Sequence, residues 1–93
     1  MLRHVVVWAM EPGKEEALDD LLGAMQRLPA EIDTIEALSC GRLFNDSPYD
    51  AVLCVDLGDE DALATYRAHP AHKPVLDELT DVAATVVVAD DLF

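Results

Sequence analysis

The segment "YRAHPAH", Tyr66 to His72, carries two of the chain's three histidines, with a proline between them and a tyrosine three residues ahead. Imidazole titrates close to neutral pH, so a histidine can take up or release a proton under physiological conditions. A tyrosine hydroxyl can donate a hydrogen bond to a carbonyl or enolate oxygen. Two readings of the segment stand side by side. Either Tyr66 and His72 form an acid–base pair held at one end of a helix, or His69 and His72 fix a helix break through bonds to the backbone.

Proline chemistry places these groups. The residue before a proline is pushed out of the α region, so a helix running through "DEDALATYRA" must break near His69. Pro70 can open a new helical segment through Val75, Leu76 and Leu79, with His72 in its first turn. The positive end of that helix disfavours imidazolium and leaves His72 neutral, as a general base requires. The pair His69 and His72, with the carboxylates of "DLGDED", falls short of three well-placed metal ligands. The acids of "GDEDA" are better explained by helix-start preferences, and no metal is expected. No glycine-rich phosphate loop, nucleophile elbow or haem-attachment signature is present, and no cofactor is expected.

The elements around this segment alternate. "LRHVVVWAM" is a β-branched run stopped by "EPG". From Lys14 to Leu28 apolar residues recur at helical spacing, including Leu18, Leu21, Leu22 and Met25, and Pro29 is expected to end that helix. "IEALSCGRLF" and "YDAVLCVDL" flank the turn-rich "NDSP" and read as a hairpin. "VAATVVVAD" reads as the last strand. The order is β-α-β-β-α-β, an α+β ferredoxin-like arrangement with a four-stranded antiparallel sheet and two helices on one face.

Composition bounds the function. At 93 residues the chain has room for one domain, residues 1–93, with a two-layer core. A net charge of −13 repels phosphate backbones and anionic membrane surfaces, so neither nucleic acid nor membrane is an expected partner. The short apolar run "VVVWAM" is no secretory signal, and cytoplasm is the expected location. Cys40 and Cys54, on the two arms of the hairpin, read as free thiols. The first strand is apolar on both faces, with His4, Val6, Trp8 and Met10 on one and Val5, Val7 and Ala9 on the other. The last repeats this pattern, Val82, Ala84, Val86 and Val88 against Ala83, Val87 and Ala89. Two helices cover one sheet face only, so a second copy related by twofold symmetry is expected on the other.

The stretches "LRHVVVW", "LPAEI", "GR", "SPYDAVL" and "YRAHPAH" together resemble the Dabb family, the stress-responsive dimeric α/β-barrel domain, from end to end. The resemblance implies two ferredoxin-like protomers packed sheet against sheet. It also implies a cavity between helices and sheet, toward which His4, Val6 and Trp8 face. One plant branch consists of polyketide cyclases performing an intramolecular aldol condensation. By that likeness Tyr66 and His72 are the catalytic candidates. His4, Val6, Trp8, Leu21, Leu22, Met25, His69 and Val75 are the candidate ligand-binding residues. The first helix departs from the cyclase branch, offering aliphatic Leu18, Leu21, Leu22 and Met25 where that branch has aromatic residues. The implied ligand is therefore small and apolar or carbonyl-containing. Two other functions remain open on this fold: a non-enzymatic stress or assembly protein with a filled interior, and a cofactor-free monooxygenase. Fold alone does not choose among them.

Overall fold

Strand β1, Leu2–Met10, is central in the sheet. The computed structural model describes residues Met1–Phe93 and pairs β1 with β3 (Ala51–Leu57) on one side and β4 (Ala83–Leu92) on the other. Strand β2, Ile35–Arg42, lies beyond β3, giving the order β2-β3-β1-β4 with every pairing antiparallel. The expected βαββαβ arrangement is the one observed. Its register puts His4 opposite Val55 on one side and Asp90 on the other.

Alternation decides which face is covered. In β1 Leu2, His4, Val6, Trp8 and Met10 are buried, while Arg3, Val5, Val7 and Ala9 are half-buried. In β3 the buried set is Ala51, Leu53, Val55 and Leu57. The covering layer is helical: α1 (Leu18–Gln26), α2 (Leu28–Glu31), α3 (Glu60–Ala68) and α4 (His72–Val82). Their buried residues, among them Leu21, Met25, Leu63, Tyr66 and Leu79, join those of the strands in one core. The other sheet face has no covering element within the chain. Trp8 is fully buried, yet its indole N–H has no partner.

The first helix differs from expectation at both ends. A 3-10 turn at Glu15–Ala17 precedes it, and Pro29 does not end the helical region. Pro29 sits in the first turn of α2, where a missing N–H costs no intrahelical bond. Gly13, in the turn after β1, has φ of 89°, a conformation glycine adopts without a Cβ clash.

The second crossover breaks where proline chemistry requires. Asp59 caps α3, its carboxylate accepting from the Ala62 N–H at 2.8 Å. His69 then leaves the helix with φ −65° and ψ 137°. Pro70 lies in the connecting turn, so α4 starts at His72 rather than at the proline. Val82, expected in the last strand, is the buried final residue of α4. From Ala84 to Leu92 every residue of β4 is exposed, including Val86, Val87 and Val88. No helix is long and apolar enough to cross a membrane.

Cys40 and Cys54 are both free and half-buried. They do not face each other across the hairpin. Cys40 opposes Leu53 and approaches the Leu22 carbonyl under the helices, whereas Cys54 opposes Ser39 and borders a recess with Arg3 and Asp56. Side chains one register position apart point to opposite faces of a sheet.

Candidate functional site

The break between α3 and α4 is built by His69. Its Nδ1 accepts from the Ala71 N–H at 3.0 Å, and its carbonyl accepts from the His72 N–H at 3.0 Å. These bonds occupy the His69 ring with the backbone, and that ring does not line the cavity. They also turn the chain so that α4 starts with His72 beside Tyr66. The two ring centroids are 4.7 Å apart. On its other side Tyr66 meets His4 edge-on at 5.9 Å. Tyr66 is thus the middle of three polar rings from α3, α4 and β1.

These rings form one end of a cavity of about 290 Å³ between the sheet and the helices. Apart from Arg67, its remaining wall is aliphatic, with Val6 and Leu53 from the sheet, Met25 from α1, Val75, Leu76 and Leu79 from α4, and Val86 and Val88 from β4. Of the residues expected to bind a ligand, His4, Val6, Met25 and Val75 line it, as do Tyr66 and His72. Trp8, Leu21 and Leu22 do not; they are packed in the core. Helical spacing shows which side of α1 turns inward, but not which part of the sheet it covers. The cavity lies instead between α4 and the edge strand β4.

Two charged residues that sequence reasoning missed complete the polar end. His4 Nδ1 lies 2.5 Å from Asp90 Oδ1. A carboxylate accepts, so this contact places the proton on Nδ1 and leaves Nε2 as the second functional nitrogen. The other Asp90 oxygen accepts from an Arg67 guanidinium N–H at 3.3 Å. The signal available in the sequence was register: only the pairing of β4 with β1 brings Asp90 opposite His4.

Burial sets the protonation states. It pushes the Tyr66 phenol up to about 12, against a smaller opposing effect of the Arg67 charge. It also lowers the His72 imidazole below its ordinary value; a backbone hydrogen bond at Arg67 works the other way, and the charges of His4 and Arg67 add to the lowering. Desolvation is the largest cause of the lowered His72 value, in the same direction as the helix-end effect expected from its place in the first turn of α4. At neutral pH the site therefore offers a protonated phenol and a neutral imidazole in ring contact. One can donate to an oxygen while the other accepts a proton. No group of three or more histidine, cysteine, aspartate or glutamate side chains is placed to share a metal ion.

This chain belongs to the Dabb family, the Stress responsive A/B Barrel Domain, whose sequence profile matches residues 2–91. Among curated proteins none matches it significantly. Solved structures share its fold. A dimeric protein of unknown function and ferredoxin-like fold from Bacteroides fragilis is 20% identical with a TM-score of 0.90, covering 99% of this chain and 95% of its own. A protein of Arabidopsis thaliana is 21% identical, also with a TM-score of 0.90, covering 100% and 95%. A hydroxynitrile lyase from Passiflora edulis is 10% identical with a TM-score of 0.88, covering 99% and 92%. At these identities the likeness is one of fold.

Proposed function

We propose that this chain, a single domain over residues 1–93, is a homodimeric small-molecule-binding protein whose cavity carries out acid–base chemistry at a carbonyl-containing aliphatic compound. The observation that carries this reading is the convergence of His4, Tyr66 and His72 on one partly open, mostly aliphatic cavity. A largely apolar pocket with a few converging polar groups is the usual form of a small-molecule site. His72 takes a proton from the carbon beside a carbonyl, and Tyr66 donates a hydrogen bond to the oxygen on which charge develops. The hydroxynitrile lyase from Passiflora edulis supports the reading, because it shows that the fold can hold a lyase.

The dimer reading rests on the uncovered sheet face. Val5, Val7 and Ala9 of β1 and Val52 of β3 lie half-buried there, and Val87 of β4 is 42% exposed. A contiguous apolar surface of this kind marks an interface. Several structural relatives are described as dimeric. A second copy packed sheet to sheet would bury roughly 1,600 Å² in a standard interface. The two unpaired thiols are compatible with a reducing, cytoplasmic setting.

The test is a thermal-shift screen of carbonyl compounds with aliphatic tails, since a ligand that binds only the folded state raises its melting temperature. A hit should then be assayed for turnover with the wild type and His72→Ala. Loss of about 10²- to 10⁴-fold in rate with an unchanged fold is expected for a general base. A His72→Ala variant that turns the hit over at the wild-type rate would reject the catalytic role.

A further inference from the structure

We infer that the ligand of this cavity is an aliphatic carboxylic acid, whose carboxylate is held by the guanidinium of Arg67; this rests on the reading of the cavity as a ligand site. Arg67 is the only one of the chain's six cationic residues that lines the cavity, in a protein with 19 acidic residues. Its guanidinium reaches Asp90, the same carboxylate that holds the His4 ring, which locates it at the polar end of the cavity.

Its existing partner does not use it up. Arg3 holds Asp56 with two bonds, at 2.7 and 3.2 Å, and Arg42 meets Asp19 at 2.6 Å. Arg67 makes one long contact, 3.3 Å to Asp90 Oδ2, while Asp90 Oδ1 is committed to His4. The Arg67 side chain is 52% exposed. A guanidinium has five N–H donors in a planar fork that matches a carboxylate in two parallel bonds. A ligand carboxylate can therefore take the open side of Arg67 and leave the His4–Asp90 contact in place. The Arg67 charge is felt at both Tyr66 and His72, which locates it next to the reacting groups.

The rest of the cavity accounts for the remainder of the ligand. Leu76, Val86 and Val88 are 43%, 43% and 50% exposed along its wall, a surface that an alkyl chain would cover. With the carboxylate on Arg67, a keto group two carbons away is the one presented to the Tyr66 hydroxyl, since both side chains line the same end of the cavity. The carbon between the two carbonyls is then the acidic one. Its proton passes to His72, and the electron pair moves onto the keto oxygen as an enolate held by the Tyr66 hydroxyl. No further reactant enters this step.

The probes are octanoate, octanamide and octylammonium, equal in chain length and different in head-group charge, titrated by calorimetry into the full-length protein. Octanoate should bind about ten- to a hundredfold more tightly than octanamide, the range expected for a charge-assisted pair, and octylammonium should bind least. Arg67→Leu and Arg67→Gln, both at a half-exposed position, should remove the preference by weakening octanoate far more than octanamide. Equal binding of octanoate and octanamide to the wild type would overturn the inference and leave the cavity reading standing. So would a preference that survives both substitutions, or an equal loss for both ligands, which would make Arg67 a prop for Asp90. Failure of all three probes to bind folded protein would overturn both readings.

Discussion

His4 Nδ1 and Asp90 Oδ1 are 2.5 Å apart, joining the central strand to the edge strand across 86 positions of sequence. The contact fixes the tautomer of His4 as well as its orientation. Asp90→Asn replaces an obligate acceptor with a group that can also donate, so the tautomer should become mixed. Long-range ¹H–¹⁵N spectra of the histidine rings at pH 8 should show a protonated Nδ1 for His4 in the wild type and a change in Asp90→Asn. An unaltered Nδ1–H signal would mean that the carboxylate does not set the tautomer.

His72 makes stability depend on pH in a defined direction. Its folded-state pKa lies below the ordinary value of 6.5, mainly through burial. Above that value the ring is neutral in both states and contributes no slope. As pH falls below 6.5 the unfolded chain takes up a proton that the folded chain resists, so stability declines with acidification until the folded pKa is passed. Melting temperatures between pH 7.5 and 5.5 should fall less steeply in His72→Gln than in the wild type. Asp56, whose pKa is lowered by its hydrogen bond with Arg3, acts in a separate window, below its ordinary 3.8. Parallel curves for the two proteins would contradict the assignment to His72.

Tyr66 should ionise late. With burial pushing its phenol up to about 12, a spectrophotometric titration should show a phase near that pH, and Tyr66→Phe should lack it. Because the folded pKa exceeds the ordinary 10.0, stability contributed by the neutral phenol is intact below pH 10 and is lost as pH rises toward 12. At pH 7 Tyr66→Phe should change stability by less than about 1 kcal/mol, while weakening any ligand that accepts from the hydroxyl by about 0.5–1.5 kcal/mol.

The open sheet face gives a paired test of assembly. Val7 and Cys54 both lie on it, Val7 in β1 and Cys54 in β3. Light scattering at micromolar concentration should give a dimer. Val7→Asp would bury an unpaired carboxylate in each copy and should yield monomers or unfolded chain. In the native dimer Cys54 should resist a thiol reagent, and in a folded Val7→Asp monomer it should react. Cys40 should remain slow in both, since burial raises its thiol pKa. Rapid labelling of Cys54 in the native protein would place the interface elsewhere.

Much of the scaffold was legible because it follows from local rules. Alternation in "LRHVVVWAM" marked a strand with two apolar faces, and the proline in "AHPAH" required the break that seats His72 against Tyr66. The lateral position of the cavity was not legible. Leu21 and Leu22 carry the same inward spacing as Met25, yet only Met25 reaches the cavity, because helix periodicity contains no information on sideways placement over the sheet. Asp90 was missed for a related reason. In "VVVADDL" it looks like a solvating charge on the last strand, and its partner is defined by strand register rather than by any neighbour in sequence.

The exposure of β4 bears on the order in which the molecule assembles and on where it opens first. This strand supplies Val86 and Val88 to the cavity wall and Asp90 to the His4 and Arg67 side chains, but its pairing is with β1, the element most distant from it in sequence. Pairings of such long range form late in folding, because the loop between them must be closed first. The polar end of the cavity is therefore completed only when the last strand docks. The same strand has a free edge and two poorly covered faces, so in an isolated protomer its amide protons should exchange faster than those of β1 and β3. Ligand occupancy or a second copy, by covering those faces, would appear as slowed exchange concentrated on residues 84–92 and would couple the readiness of the site to the integrity of a single edge strand.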